Sequence, residues 1–369
     1  MVKPDDKYDA VLADWNAKDD YQITGLVRSK LEMVKTKRML RPFIDAHVHL
    51  NTATEAKLKL AQKYDAYFVS INTDIPFFIS LNEQEKLIHE LNTVENRSFF
   101  ITSFDIEYWN TEKWLPHALE QIKQGVARGA KGVKIWKNIG MDQRVKDQDG
   151  NFVLLDDPRF DPIFPYLSDH NILLINHQAE PRNCWLPLKE MTVDSDRDYF
   201  SEHPEYHMFK NPDYPSYETH MAARDRVLER FPNLKYVGLH LFSMEYDLDE
   251  VAKRLDRFPN SKTDLAERIC HVQLQAMHDW QKVRDFFITY QDRIIYGTDV
   301  IDDGSMTAEA TAAKFERLWN FHWVFFATNS VMQAPEFKGS FKGLNLPEDV
   351  LKKLFYTNAV NTYNLEIPK

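Results

Sequence analysis

From Arg41 onward, short apolar runs alternate with longer amphipathic segments, and this alternation restricts the fold more than any other feature of the chain. The candidate strands begin with PFIDAHVHL (42–50), YDAYFVSIN (64–72), SFFITSFDI (98–106) and KGVKIW (131–136). NILLINHQ (171–178), LKYVGLHLF (234–242), the weaker SKTDLAE (261–267) and DRIIYGTD (292–299) follow. Helix-like stretches such as EKWLPHALEQIKQGVARG and DWQKVRDFFITYQ lie between them. Eight strands alternating with helices over about 260 residues is the size and order of an α/β protein of the (β/α)8 TIM-barrel type. An open doubly wound sheet is the competing architecture. No Gly-rich phosphate turn follows any strand, however, and a chain with only 11 glycines carries no dinucleotide fingerprint.

The chain of 369 residues divides into an N-terminal helical extension, 1–40, and a barrel domain, 41–369. A long insertion from Pro181 to Ser216 follows the fifth strand and is expected to cover the barrel mouth. The tail, 301–369, contains the aromatic run FERLWNFHWVFFATNS and a closing helical stretch. Its aromatic residues read as core against the barrel wall. The alternative is that Trp319 and Trp323 reach the pocket.

A formal net charge of −10 argues against nucleic acid or an anionic membrane as the main partner. The one cationic run, Arg28 to Arg38, is interrupted by Leu31, Met33 and Val34 and reads as a solvated helix face. Two cysteines, Cys184 and Cys270, imply no disulfide framework and no Cys-type zinc site. Cys184 has no evident base beside it and is not read as a nucleophile. No apolar stretch approaches the ~20 residues of a membrane span, and the opening MVKPDDKYDA does not resemble a signal peptide. The sequence therefore reads as a cytoplasmic protein with a small-molecule substrate and a possible homodimer.

His47 and His49 stand one residue apart in the first strand, where period-two alternation points both imidazoles the same way. His177 closes the fifth strand, His240 the sixth and Asp299 the eighth, while Lys134 lies inside the fourth. In a parallel barrel the C-terminal strand ends converge on one face. His47, His49, His177, His240 and Asp299 are thus expected at one mouth, with Lys134 beside them. Imidazoles plus one carboxylate suit Zn²⁺, and also Mn²⁺, Fe²⁺ or Co²⁺. A site with an open position acidifies bound water to roughly neutral pKa.

The strings FIDAHVHL, GAKGVKIW, LINHQAEP, FPNLKYVGLH and IIYGTD, with the late YTNAVNTYNL, resemble the amidohydrolase superfamily. They resemble most its amidohydrolase-related branch, which includes aminocarboxymuconate-semialdehyde decarboxylase. The resemblance spans about residues 41–365. It implies a distorted (β/α)8 barrel with one or two divalent metals. His47, His49, His177 and Asp299 would be metal ligands, Asp299 also a proton acceptor. His240 would activate water, polarise substrate or bind a second metal. One metal is expected, or two if Lys134 is carboxylated. This chain departs from the branch at GLHLFSM, where Phe242 replaces a small residue and is expected to reshape the pocket.

Substrate contacts are expected from the loops after the strands: Glu180, Arg182 and Trp185, then Ser243 and Glu245, Arg268 and His271, and Lys137 and Asn138. An arginine or lysine there suits a substrate carboxylate. The expected activity is hydrolysis of an amide, ester or lactone, with Asp299, His240 and Lys134 as catalytic groups. The alternative is non-oxidative decarboxylation of an aromatic or unsaturated acid at the same site. A barrel that merely binds a ligand is the third reading.

Overall fold

The computed structural model describes residues 41–367. The expected helical extension and its Arg28–Arg38 run lie outside the described residues. Among the described residues one sheet contains nine strands. They are β1 (Phe43–Leu50), β2 (Ala66–Ile71), β3 (Ser98–Ser103), β4 (Val133–Ile135), β5 (Leu174–Asn176), β6 (Tyr236–Gly238), β7 (Ser261–Asp264), β8 (Ile294–Ile295) and β9 (Val300–Asp302). The order is β8-β7-β6-β5-β4-β3-β2-β1-β9 and every pairing is parallel. All eight residues of β1 are buried, as expected for a parallel strand covered on both faces.

Helices connect the strands, and local chemistry marks where they begin. Ser80 caps Leu81–Val94 through a reciprocal box with Glu83. Thr307 caps the long helix Ala308–Ala327 by accepting from the Ala310 N–H at 3.2 Å. That helix packs beside Ala56–Tyr64. Trp319 is fully buried against Phe43, Phe68 and Phe315, and Trp323 packs on Phe355. These indoles are core, as expected, and the alternative that they reach the pocket is set aside.

The ladder does not close on itself, because no pairing joins β8 to β9. Those strands are two halves of one stretch, separated by Tyr296–Asp299. The first half pairs with β7 and the second with β1. Single bonds bridge the seam: Ala46 N–H to the Tyr296 carbonyl at 3.1 Å, and Asp299 N–H to the His47 carbonyl at 2.8 Å. The segment Lys353–Thr357 packs against both β1 and β8, and its Leu354 carbonyl accepts from the Tyr296 N–H at 3.1 Å. The result is a (β/α)8 barrel with an irregular seam.

The sixth strand is shorter than its apolar run suggests. It stops at Gly238, and 239–242 form a turn instead of further strand. The weak seventh run is a true strand. The insertion after β5 carries the helix Asp194–Glu202 and a small core of Cys184, Met191, Phe200 and Met208. Burial pushes the Cys184 thiol up, as befits a packing residue.

Candidate metal centre

The register between β1 and β2 slips between Asp45 and Val48. Such a bulge re-aims the residues around it. Upstream, Asp45 turns toward the long helix and accepts from Trp319 Nε1 at 2.8 Å. Downstream, His47 and His49 both direct Nε2 at Asp299 Oδ1, each at 3.2 Å.

Each residue of the GTD stretch has its own part in this arrangement. A Cβ on Gly297 would lie 2.7 Å from the His47 Cβ, so glycine is what lets the two backbones meet. Thr298 donates to Asp45 from its N–H (2.9 Å) and its hydroxyl (2.7 Å). Asp299, at φ +63°, then points back to the histidines.

His240 follows β6, with its ring 5.0 Å from that of His47 and 4.2 Å from that of His177. Its Nδ1 donates to the Ala266 carbonyl at 2.9 Å and lies 3.9 Å from Asp299 Oδ2. Asp264, the last residue of β7, joins two of these groups. It accepts from His47 Nδ1 and from the His240 N–H, both at 2.6 Å. The five residues expected at one mouth are therefore together. His47, His49 and Asp299 form the tight trio, with ligand atoms all within 4.8 Å of one another, and His177 stands beside His240 rather than inside that trio.

A metal can be tested against this arrangement by asking which atoms lack partners. Among the described residues His177 Nε2 and His240 Nε2 are buried with no hydrogen bond, and His47 Nε2 and Asp299 Oδ1, though 3.2 Å apart, do not meet in hydrogen-bond geometry. With Nδ1 engaged at His47 and His240, Nε2 is the atom each can offer a metal, at His47 in exchange for a proton. Donor atoms gathered around a buried carboxylate suit a cation among them, because unpaired buried polar groups are costly. The residues present fit a divalent metal.

Electrostatics follow from burial and from Asp299. Burial opposes a charged His47, yet Asp299 and Asp264 carry it up to about 9. Burial drives His49 down to about 4 and His240 to about 3, with Asp299 pulling the other way. Burial, reinforced by His240, also holds His177 well below the usual imidazole range. Burial favours a neutral Asp299, but His47 outweighs it and holds the carboxyl well below the usual range.

Lys134 is 1 % exposed, and its ammonium makes no hydrogen bond or ion pair among the described residues. Burial pushes it down to about 8, against the pull of Asp299 and Asp264. It lines a small cavity with Asp74, Ser103, Trp136 and Asn138.

The expected substrate residues divide. Glu180 and Lys137 pair with each other. Arg268 is buried, with Nε unpartnered, and Glu245 accepts from the Arg182 N–H at 2.9 Å. His271 faces Asp196 at 3.4 Å, and Ser243 Oγ is buried without a partner. Arg182 does not join the histidines: its guanidinium lies 4.5 Å above Tyr246 in a surface groove with Glu250 and Arg254. Trp185 is held within the insertion by a 3.2 Å bond to the Pro215 carbonyl, its ring near Tyr217. Phe242 likewise faces away, stacked on Tyr236 and beneath Arg224, so it does not reshape the pocket as expected.

Two residues escaped the sequence reading. Asp264 was detectable as the acid ending the weak strand SKTDLAE. Phe78, with its ring 5.2 Å from His49, lies in the apolar DIPFFIS loop after β2. Gln84 pins both ends of that loop by donating to the Thr73 and Ile79 carbonyls at 2.9 and 2.7 Å.

A parallel barrel that gathers three or more histidines and an aspartate at its strand ends has the donor set that metal-dependent barrel enzymes use. The chain belongs to the amidohydrolase family, whose model, described as Amidohydrolase, matches residues 109–365. That match begins after β1, so the first two histidines are placed by geometry alone. No curated protein matches significantly. Among solved structures the chain is similar to 2,6-dihydroxybenzoate decarboxylase complexed with 2,6-dihydroxybenzoate (TM-score 0.50, 12% identity, 88% of this chain and 99% of that one). It is also similar to the D-hydantoinase (dihydropyrimidinase) of Thermus sp. (TM-score 0.50, 14% identity, 87% of this chain and 70% of that one). At such identities the likeness speaks for the fold alone. No helix among the described residues is long and apolar enough to cross a membrane.

Proposed function

We propose that this chain is a metal-dependent hydrolase acting on an amide, ester or lactone of a small, acidic substrate. The observation that carries the reading is the set of buried donor atoms on His47, His177, His240 and Asp299 that make no hydrogen bond among the described residues. His47, His49, His177 and Asp299 would hold one divalent cation, with zinc the first choice by donor type and manganese, iron or cobalt behind it. When bound, the cation supplies Lewis-acid activation of water and of a carbonyl oxygen.

The chain's own residues would do the rest. Asp299 Oδ2, which faces His240, takes the proton of the attacking water and passes it to the leaving group. His240, neutral because burial lowers it to about 3, orients the carbonyl. The lone ammonium of Lys134 stabilises the developing oxyanion or a substrate carboxylate. Arg268 and the Lys137–Glu180 pair read the remainder of the substrate, and Phe78 walls the side next to His49.

The test incubates the zinc-loaded protein with N-acyl amino acids, lactones and hydroxylated benzoic acids. Acid release from the first two groups supports the hydrolase, and Asp299→Asn should abolish it while leaving the far-UV circular dichroism spectrum in place. Release of carbon dioxide from the third group without hydrolysis would replace this reading with decarboxylation at the same residues. Full activity in Asp299→Asn would sink the assigned proton path.

A further inference from the structure

His240, Leu241, Phe242 and Ser243 have φ values of +55°, +57°, +59° and +56°. Four consecutive L-residues therefore make one turn of left-handed helix, a path that crowds each Cβ against the following carbonyl and is otherwise left to single residues. None of the four is glycine. Such a turn persists only where its surroundings hold it.

Three side chains do so. Asp264 accepts the His240 N–H at 2.6 Å. Arg224 Nη1 donates to the Phe242 carbonyl at 2.5 Å, and Tyr217 Oη donates to the Ser243 carbonyl at 2.6 Å. Tyr217 and Arg224 are seven residues apart on the helix Tyr217–Arg230, two turns along one face, so a single rigid element grips both carbonyls. Arg224 is itself fixed, because its Nε and Nη2 donate to Asp225 at 3.0 and 2.7 Å. Gly238 completes the fit: a Cβ there would lie 2.3 Å from the Phe242 ring, which folds back against the strand end.

We infer that Arg224, Tyr217 and Asp264 are positioning residues for His240. An extended or right-handed path after Gly238 would turn the His240 Cα–Cβ bond elsewhere. The left-handed turn sets its ring between His47 and His177 and lets Nδ1 reach the Ala266 carbonyl. Its importance for catalysis rests on the proposed role of His240, but the placement itself is read without turnover.

The test uses protein labelled with 15N-histidine, both zinc-loaded and metal-free, and observes the imidazole resonances. His240→Gln identifies the His240 signal, expected as the Nδ1–H tautomer with a slowly exchanging proton. Arg224→Met and Tyr217→Phe should each weaken or abolish that signal at unchanged far-UV circular dichroism. Adding Ser243→Gly should restore it, because glycine takes the left-handed conformation freely. Loss in either variant followed by restoration supports the inference. Persistence in both, or loss that glycine does not reverse, overturns it. If Arg224→Met fails to fold, Tyr217→Phe, which removes one hydroxyl, decides the matter with its Ser243→Gly partner. No step of the test depends on which reaction the enzyme performs.

Discussion

Asp264 binds His47 through the side chain and His240 through the backbone, with one carboxylate oxygen given to each at 2.6 Å. Strand β7 thereby fixes the tautomer of one site histidine and the location of another. Partners of this kind behind metal-ligating imidazoles typically support metal affinity by about 10–100-fold. Asp264→Asn should weaken zinc binding by that order, as measured by competition with a chromogenic chelator. Affinity equal to wild type would remove Asp264 from the site.

Gly297 lies under His47, and an added methyl would overlap its Cβ. Gly297→Ala is expected to cost about 1–3 kcal/mol through overpacking and to lower zinc affinity, because the backbone that must yield belongs to a ligand. Urea denaturation reads the first effect and chelator competition the second. A variant that loses neither would mean that the two strands have slack at the seam.

Among the described residues no carboxylate lies within bonding distance of the buried Lys134 ammonium. One metal ion per chain and an unmodified lysine are the expected result of elemental analysis and intact mass measurement. Growth and purification without bicarbonate should leave the stoichiometry unchanged. Two ions per chain, falling when bicarbonate is withheld, would instead make Lys134 a carboxylated bridge.

His220 and His322 are buried away from the site, and burial alone lowers them to about 4 and about 3. Both folded values lie below the unfolded value near 6.5. The unfolded chain therefore binds protons first as pH falls. Their contribution to stability is complete above about pH 6.5 and is lost on descending toward the folded values. Each group adds about 1.4 kcal/mol per pH unit to the slope well below 6.5. Urea midpoints at pH 7.5, 6 and 5 should fall, and His322→Gln should flatten the fall by one group's share. An unchanged slope would show that His322 is protonated in the folded protein.

The barrel and its mouth were legible because apolar strand runs and the histidines that end them obey simple periodicities. The details depended on contacts that no single stretch contains. Period two predicts that His47 and His49 share a face, but Asp45 belongs to the same register, and only the bulge sends it to Trp319 instead. Asp264 hid in a polar strand because a strand buried inside a barrel mouth need not be apolar when its side chains bond one another. Phe242 was misread because nothing local reveals a left-handed turn without glycine. Arg182 was misread because position after a strand does not fix direction, and here Tyr246 offered its ring.

The seam between β8 and β1 also bears on how a metal would be held. Asp299 reaches His47 only once Tyr296–Asp299 has bridged the first and last parts of the barrel. The trio thus joins residues 250 or more positions apart in the chain, and an ion bound there would fasten the barrel where its ladder is open. Part of the free energy of binding such an ion would then be closure free energy, since the unfolded chain has no such site. An ion taken up by the proposed site would thus also be the clasp of the barrel.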